Sequence, residues 1–132
     1  MSVLIFGLAI GAQILSSNDA PSPESFLRQA ACAAAARMGN EPQSSDALLE
    51  SALREAIKFY ENEYRPEDLA YPFDNFDVDA AASFVVAEIF ANGTATIQYM
   101  SVDEGLDRDG AATLALEHFQ QLGCSEFLPD FE

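Results

Sequence analysis

The stretch that most limits what this chain can become is Phe26 to Met38, Phe-Leu-Arg-Gln-Ala-Ala-Cys-Ala-Ala-Ala-Ala-Arg-Met, with Cys32 at its centre. Alanine has the highest intrinsic helix propensity, so the run reads as a helix. Its small side chains let neighbouring helices approach closely on several sides, which predicts a central, tightly surrounded helix. Ser22-Pro23-Glu24 supplies the start: a serine able to cap, a proline suited to the first helical position and an acid at the positive end of the dipole. Gly39 and Asn40 supply a left-handed stop, so the first helix is placed at 23–38.

The rest of the chain reads as helices arranged around that one. Beyond Glu41-Pro42-Gln43, Ser44 and Ser45 offer caps for a second helix at about 45–64, with Leu49, Leu53, Ala56, Tyr60 and Tyr64 at helical spacing and Pro66 as its stop. The segment after Pro66 carries Leu69, Tyr71, Phe73 and Phe76 between two prolines and reads as an ordered loop whose aromatics cover the core or roof a pocket. Asp77 to Val102 supports two readings. As one helix at 77–102, Val78, Ala81, Ala82, Val85, Ile89, Gly93, Ile97 and Met100 keep three-and-four spacing. As a β-hairpin over 84–102, two runs rich in β-branched and aromatic residues flank Asn92-Gly93, a strong turn signal. The helical lead-in Ala80-Ala81-Ala82 and the awkward place of Glu88 on either hairpin face favour the helix; an α+β domain is the alternative. Asp107 or Asp109 can cap a last helix at about 110–122, with Leu114, His118 or Phe119, and Leu122 inward and Gly123 as the stop. The expected fold is an all-α, small four-helix-bundle-like domain spanning 21–132, since 132 residues make room for one core.

Val3 to Leu15 is apolar except for Gln13. As a helix it would reach about 20 Å against a hydrocarbon core of about 30 Å, so a stable membrane span is not expected there. Its length suits the apolar region of a secretory signal within residues 1–20, with Ala12 or Ala20 before the cleaved bond. No Lys or Arg precedes the run, however, and an interfacial anchor or an N-terminal core helix are the competing readings. Cys32 and Cys124 stand in no metal-ligand or redox spacing, and with an export signal they read as one structural disulfide; two inert buried thiols are the alternative. Together these features place the protein outside the cytosol, in the periplasm or beyond the cell.

Charge narrows function further. The formal net charge is −16, and from Pro66 onward 14 acids face only Arg108, a net of −13. Such a surface repels phosphate backbones and anionic headgroups, which excludes nucleic acid and leaves a basic protein as the partner class that charge would favour. Solubility in an exported setting explains the same excess without a partner.

No catalytic constellation emerges. Asp103, Asp107 and Asp109 with Gly110 are weak calcium candidates, but an EF-hand register with Gly110 at its sixth position puts Gly105 first and Leu116 twelfth, so two essential ligands are missing. Glu117 directly precedes His118, the only histidine, so the Glu-x-x-His pair of di-metal bundles is absent. No phosphate-cradling glycine loop or nucleophile elbow occurs, and no cofactor is implied. The layout of an export signal, an alanine-rich helix bearing a cysteine and a final helix ending in Gly123-Cys124 resembles small exported helical proteins of proteobacteria. That resemblance implies compartment and fold, and no mechanism. The expectation is a non-catalytic exported bundle acting by protein contact through its acidic surface. The alternative is a binder of a small apolar ligand between helices, with Tyr71, Phe73 and Phe76 as pocket residues. Nothing in the sequence selects an oligomeric state.

Overall fold

A computed structural model describes residues 23–63 and 77–128. The signal-like segment 1–20, the possible cap Ser22, the aromatic trio Tyr71, Phe73 and Phe76, and the end of the acidic tail lie outside the described residues. Among the described residues four α-helices follow one another, α1 (Pro23–Met38), α2 (Pro42–Glu63), α3 (Val78–Asp103) and α4 (Arg108–Gln121), and a 3₁₀ turn, Cys124–Phe127, comes after them. The all-α bundle is therefore the fold. The hairpin alternative at 84–102 is overturned, because α3 runs unbroken through Asn92-Gly93.

The helices alternate in direction. Phe26 packs at a tilt against Phe59 and Tyr60, at ring-centroid distances of 5.5 and 6.4 Å, so the start of α1 meets the end of α2. Ala35 shares a cluster with Ile97 and Ala115, and Cys32 reaches Cys124, so α3 runs with α1 while α4 runs against it. The α1–α2 and α3–α4 turns consequently lie at one end of the bundle.

α1 is the axis of this arrangement. Phe26, Gln29, Ala30 and every residue from Cys32 to Ala36 are buried, which is possible only if neighbours surround the helix. It contributes to each of three core clusters among the described residues: Phe26 and Ala30 meet Ala52, Ala56, Ala82 and Val86; Cys32, Ala33 and Ala36 meet Leu48 and Cys124; Ala35 meets Ile97 and Ala115. An alanine core offers little apolar area per residue, so its stability depends on close approach and dense packing rather than on large side chains.

Two glycines sit where that approach is closest. A β-carbon at Gly93 would lie 2.7 Å from Cβ of Ala34, so Asn92-Gly93 marks a helix crossing and not a hairpin turn. A β-carbon at Gly39 would lie 2.6 Å from Cδ2 of Leu116 on α4. The stop of α1 is therefore divided between two residues. Asn40 alone takes the left-handed conformation, at φ 66°, and Gly39 makes room for α4. The cap closes as a Schellman motif, with the Glu41 amide donating to the Ala36 carbonyl at 2.8 Å and the Asn40 amide to that of Arg37 at 3.2 Å.

One expected cap is corrected. α2 begins at Pro42, and Ser44 and Ser45 lie buried within it rather than before it. Proline fills the first helical position, where no amide is needed, and the serines are small enough to face α1. The Ser45 hydroxyl donates to the Ala33 carbonyl at 2.9 Å, a buried bond across the α1–α2 contact. Asp77 caps α3 as expected, accepting from the Ala80 amide at 3.0 Å. Asp107 caps α4 by accepting from the Gly110 amide at 2.8 Å, which starts that helix at Arg108, slightly earlier than its sequence signals suggest.

The crossing at Gly93 generates a prediction. At an open helical site Gly→Ala gains about 1 kcal/mol of propensity; here the added methyl meets a methyl fixed to the axis helix. Gly93→Ala is expected to lower stability by about 1–3 kcal/mol, and the double variant Gly93→Ala/Ala34→Gly to recover part of the loss. Urea unfolding of the two variants checks this, and a more stable Gly93→Ala would contradict the crossing.

Candidate functional site

Cys32 and Cys124 come together as the sequence suggests. Gly123, left-handed at φ 69°, turns the chain out of α4, and Cys124 then reaches the middle of α1, with sulfurs 2.05 Å and Cα atoms 5.6 Å apart. Both residues are fully buried. The 3₁₀ turn is held to α1 by Arg28, whose guanidinium bonds Glu126 at 3.0 Å and lies 4.8 Å from the centre of the Phe127 ring. A bond spanning 92 residues would stabilise the fold by about 4–5 kcal/mol in the chain-entropy description. These sulfurs face each other in a sealed core and are structural, with neither free as a nucleophile.

The weak calcium candidates do not form a ligand set. Asp107 spends an oxygen on the α4 cap, Asp109 lies in the first turn of α4 and Asp103 ends α3. Among the described residues no three His, Cys, Asp or Glu side chains converge as a metal group. His118 is half-buried on the last turn of α4. One small polar chain crosses from α1 to α2: the Gln29 amide nitrogen donates to Ser25 Oγ at 3.2 Å, and that hydroxyl donates to Glu55 at 2.7 Å.

The acids are placed outside. Every described Asp and Glu is exposed except Glu55, which is half-buried. By helix direction they gather at the bundle's two ends: Glu24, Glu61, Glu63, Asp77 and Asp79 at one, and Glu41, Asp103, Glu104, Asp107 and Asp109 at the other. Among the described residues the ion pairs are Arg28–Glu126, Arg37–Asp46 and the i,i+4 pair Arg54–Glu50, so the acids of α3 and of the α3–α4 turn stay uncompensated.

Two apolar features stand out on the surface of the described residues. A groove of about 270 Å³ opens between α2 and α3, lined by Leu49, Leu53, Ser83, Val86, Ala87 and Phe90. Beside it, the outward face of α3 displays Phe84, Tyr99 and Val102, respectively 69%, 73% and 79% exposed. By length and composition α3 could cross a membrane: its most apolar window has mean hydropathy 1.3, and only 17% of that window is buried in the bundle. Sequence reasoning located the inward face of this helix and passed over the outward one, although the signal was present: once Val78, Ala82, Val85, Val86, Ile89, Phe90 and Ile97 turn inward, Phe84, Tyr99 and Val102 are left to turn out. No known protein family, no characterised protein and no solved structure matches this chain.

Proposed function

We propose that this protein is an exported, non-catalytic helical module that acts by contact with a basic protein partner through its acidic surface. The observation that carries the reading is the placement of the acids, exposed, gathered at the bundle ends and largely without cationic neighbours. Such a surface attracts positive charge over a distance of about 8 Å at physiological salt, steering a partner more than gripping it. The Cys32–Cys124 pair supports an oxidising compartment, and the apolar run Val3 to Leu15 supports export as the route to it. An oligolysine peptide is the probe: its affinity is expected to fall at least about tenfold between 20 and 150 mM salt, measured by calorimetry. Affinity independent of salt would contradict the reading.

A second reading, a binder of a small apolar ligand, is favoured by the α2–α3 groove, whose lining is apolar apart from Ser83. Ser83→Phe would place a ring in that groove. A neutral fluorophore such as Nile red is expected to bind the native chain saturably and the variant several-fold more weakly; equal binding would remove the groove from consideration.

A further inference from the structure

The outward face of α3 stands apart from the rest of the surface. From Ala80 to Val102 the chain carries one charged residue, Glu88, within a protein of net charge −16. With 100° between successive residues, Ala80, Phe84, Ala91, Gln98 and Val102 fall close to the line facing away from the core, and Ala87, Ala95, Glu88 and Tyr99 flank it. The buried residues Ala82, Val86 and Ile97 hold the opposite side of the helix in the bundle, and buried Ser101 lies at its edge.

We propose that this face is a homodimer interface, in which α3 of two copies packs antiparallel about a two-fold axis through Ala91. A two-fold contact requires a patch complementary to itself, and the order of side chains along α3 has that property. Counting outward from Ala91, Ala87 on one side matches Ala95 on the other, and Phe84 matches Gln98 and Tyr99. In the antiparallel pair the alanines meet alanines, which lets the backbones approach closely, and Phe84 of each copy lies across from Tyr99 of the other. The two Phe84–Tyr99 pairs close the ends of the seam at the spacing aromatic contacts favour.

Area and charge select a second copy over other occupants. Phe84, Tyr99 and Val102 with Ala87, Ala91 and Ala95 expose on the order of 500 Å² per copy, so a pair buries about 1,000 Å², the lower edge of a specific interface. A basic partner would be drawn to the acids gathered at the bundle ends rather than to this seam, whose one charge, Glu88, lies at its margin. A spanning bilayer would have to strip α3 from α1, against the Gly93–Ala34 crossing, and would hold Glu88 near its midplane. Because two copies of charge −16 repel, the dimer tightens as salt rises, the opposite of the response expected for the acidic surface and its basic partner. The two readings therefore stand or fall separately.

The test uses the full chain with its cystine intact. Sedimentation equilibrium is expected to show a monomer–dimer equilibrium that strengthens from 20 to 500 mM salt. Ala91→Glu, a change at an exposed helical position, is expected to weaken it at least tenfold while the circular dichroism spectrum, and the melting temperature at dilutions where the native chain is monomeric, stay unchanged. Under mild oxidation Ala91→Cys is expected to form a disulfide-linked dimer at least tenfold faster than Ala87→Cys. The axial distance between the two copies of residue 87 is about 12 Å, beyond disulfide reach. A native chain that stays monomeric at every concentration and salt would overturn the proposal. So would a dimer indifferent to Ala91→Glu, equal cross-linking of the two cysteine variants, or flotation of the native chain with neutral phosphatidylcholine vesicles.

Discussion

The bundle depends on how near its helices can come to α1. A helix whose residues from Cys32 to Ala36 are all buried needs neighbours on every side, and only small side chains allow so many backbones around one axis. Each neighbour answers with a small or backbone-lined surface of its own: Ser44, Ser45, Ala52 and Ala56 on α2, Ala82 and Gly93 on α3, Ala115 on α4, with Gly39 admitting Leu116. Dispersion falls steeply with separation, so this core derives its cohesion from contact distance where other cores use side-chain volume. The larger residues Phe26, Leu48 and Ile97 fill the spaces between crossings. The cystine then joins the middle of the axis helix to the end of the last one, and the Arg28 contacts lay the final turn along α1.

Much of this was legible in the residues. The alanine run announced its own centrality, because a helix that is small on all sides has no polar face to give to solvent. The cap Asp77 was readable from its side chain, Asp107 was one of two readable candidates with Asp109, and the pairing of Cys32 with Cys124 followed from their isolation in the chain together with the signal-like start. What misled were residues whose meaning depends on a neighbour distant in sequence. Asn92-Gly93 carries the local signature of a turn, yet tertiary contact with Ala34 decides its structure. Ser44 and Ser45 look like caps, yet the approach of α1 buries them. Gly39 and Asn40 look like one stop signal and perform two tasks. The outward apolar face of α3 was recoverable by subtraction, but the search for an inward face conceals it.

The surface divides into zones of different character. Exposed acids gather at the two ends of the bundle, while the side of the bundle formed by α3 is nearly free of charge. Such separation lets one molecule present a long-range attraction for cations and a short-range apolar contact without either opposing the other. The apolar side lies on a helix that the glycine crossing fastens to the axis, so the face is held rigid, and a rigid face loses less entropy when covered. The same close packing that makes the core thus shapes the exterior.

Native-state hydrogen exchange tests the central role of α1 most directly. If α1 is the axis on which the other helices depend, the amides of Ala30 to Ala36 exchange only through global unfolding and share the highest protection in the molecule, while amides at the ends of α2 and α4 exchange through smaller openings. Protection in α2 or α4 that outlasts that of α1 would contradict the account.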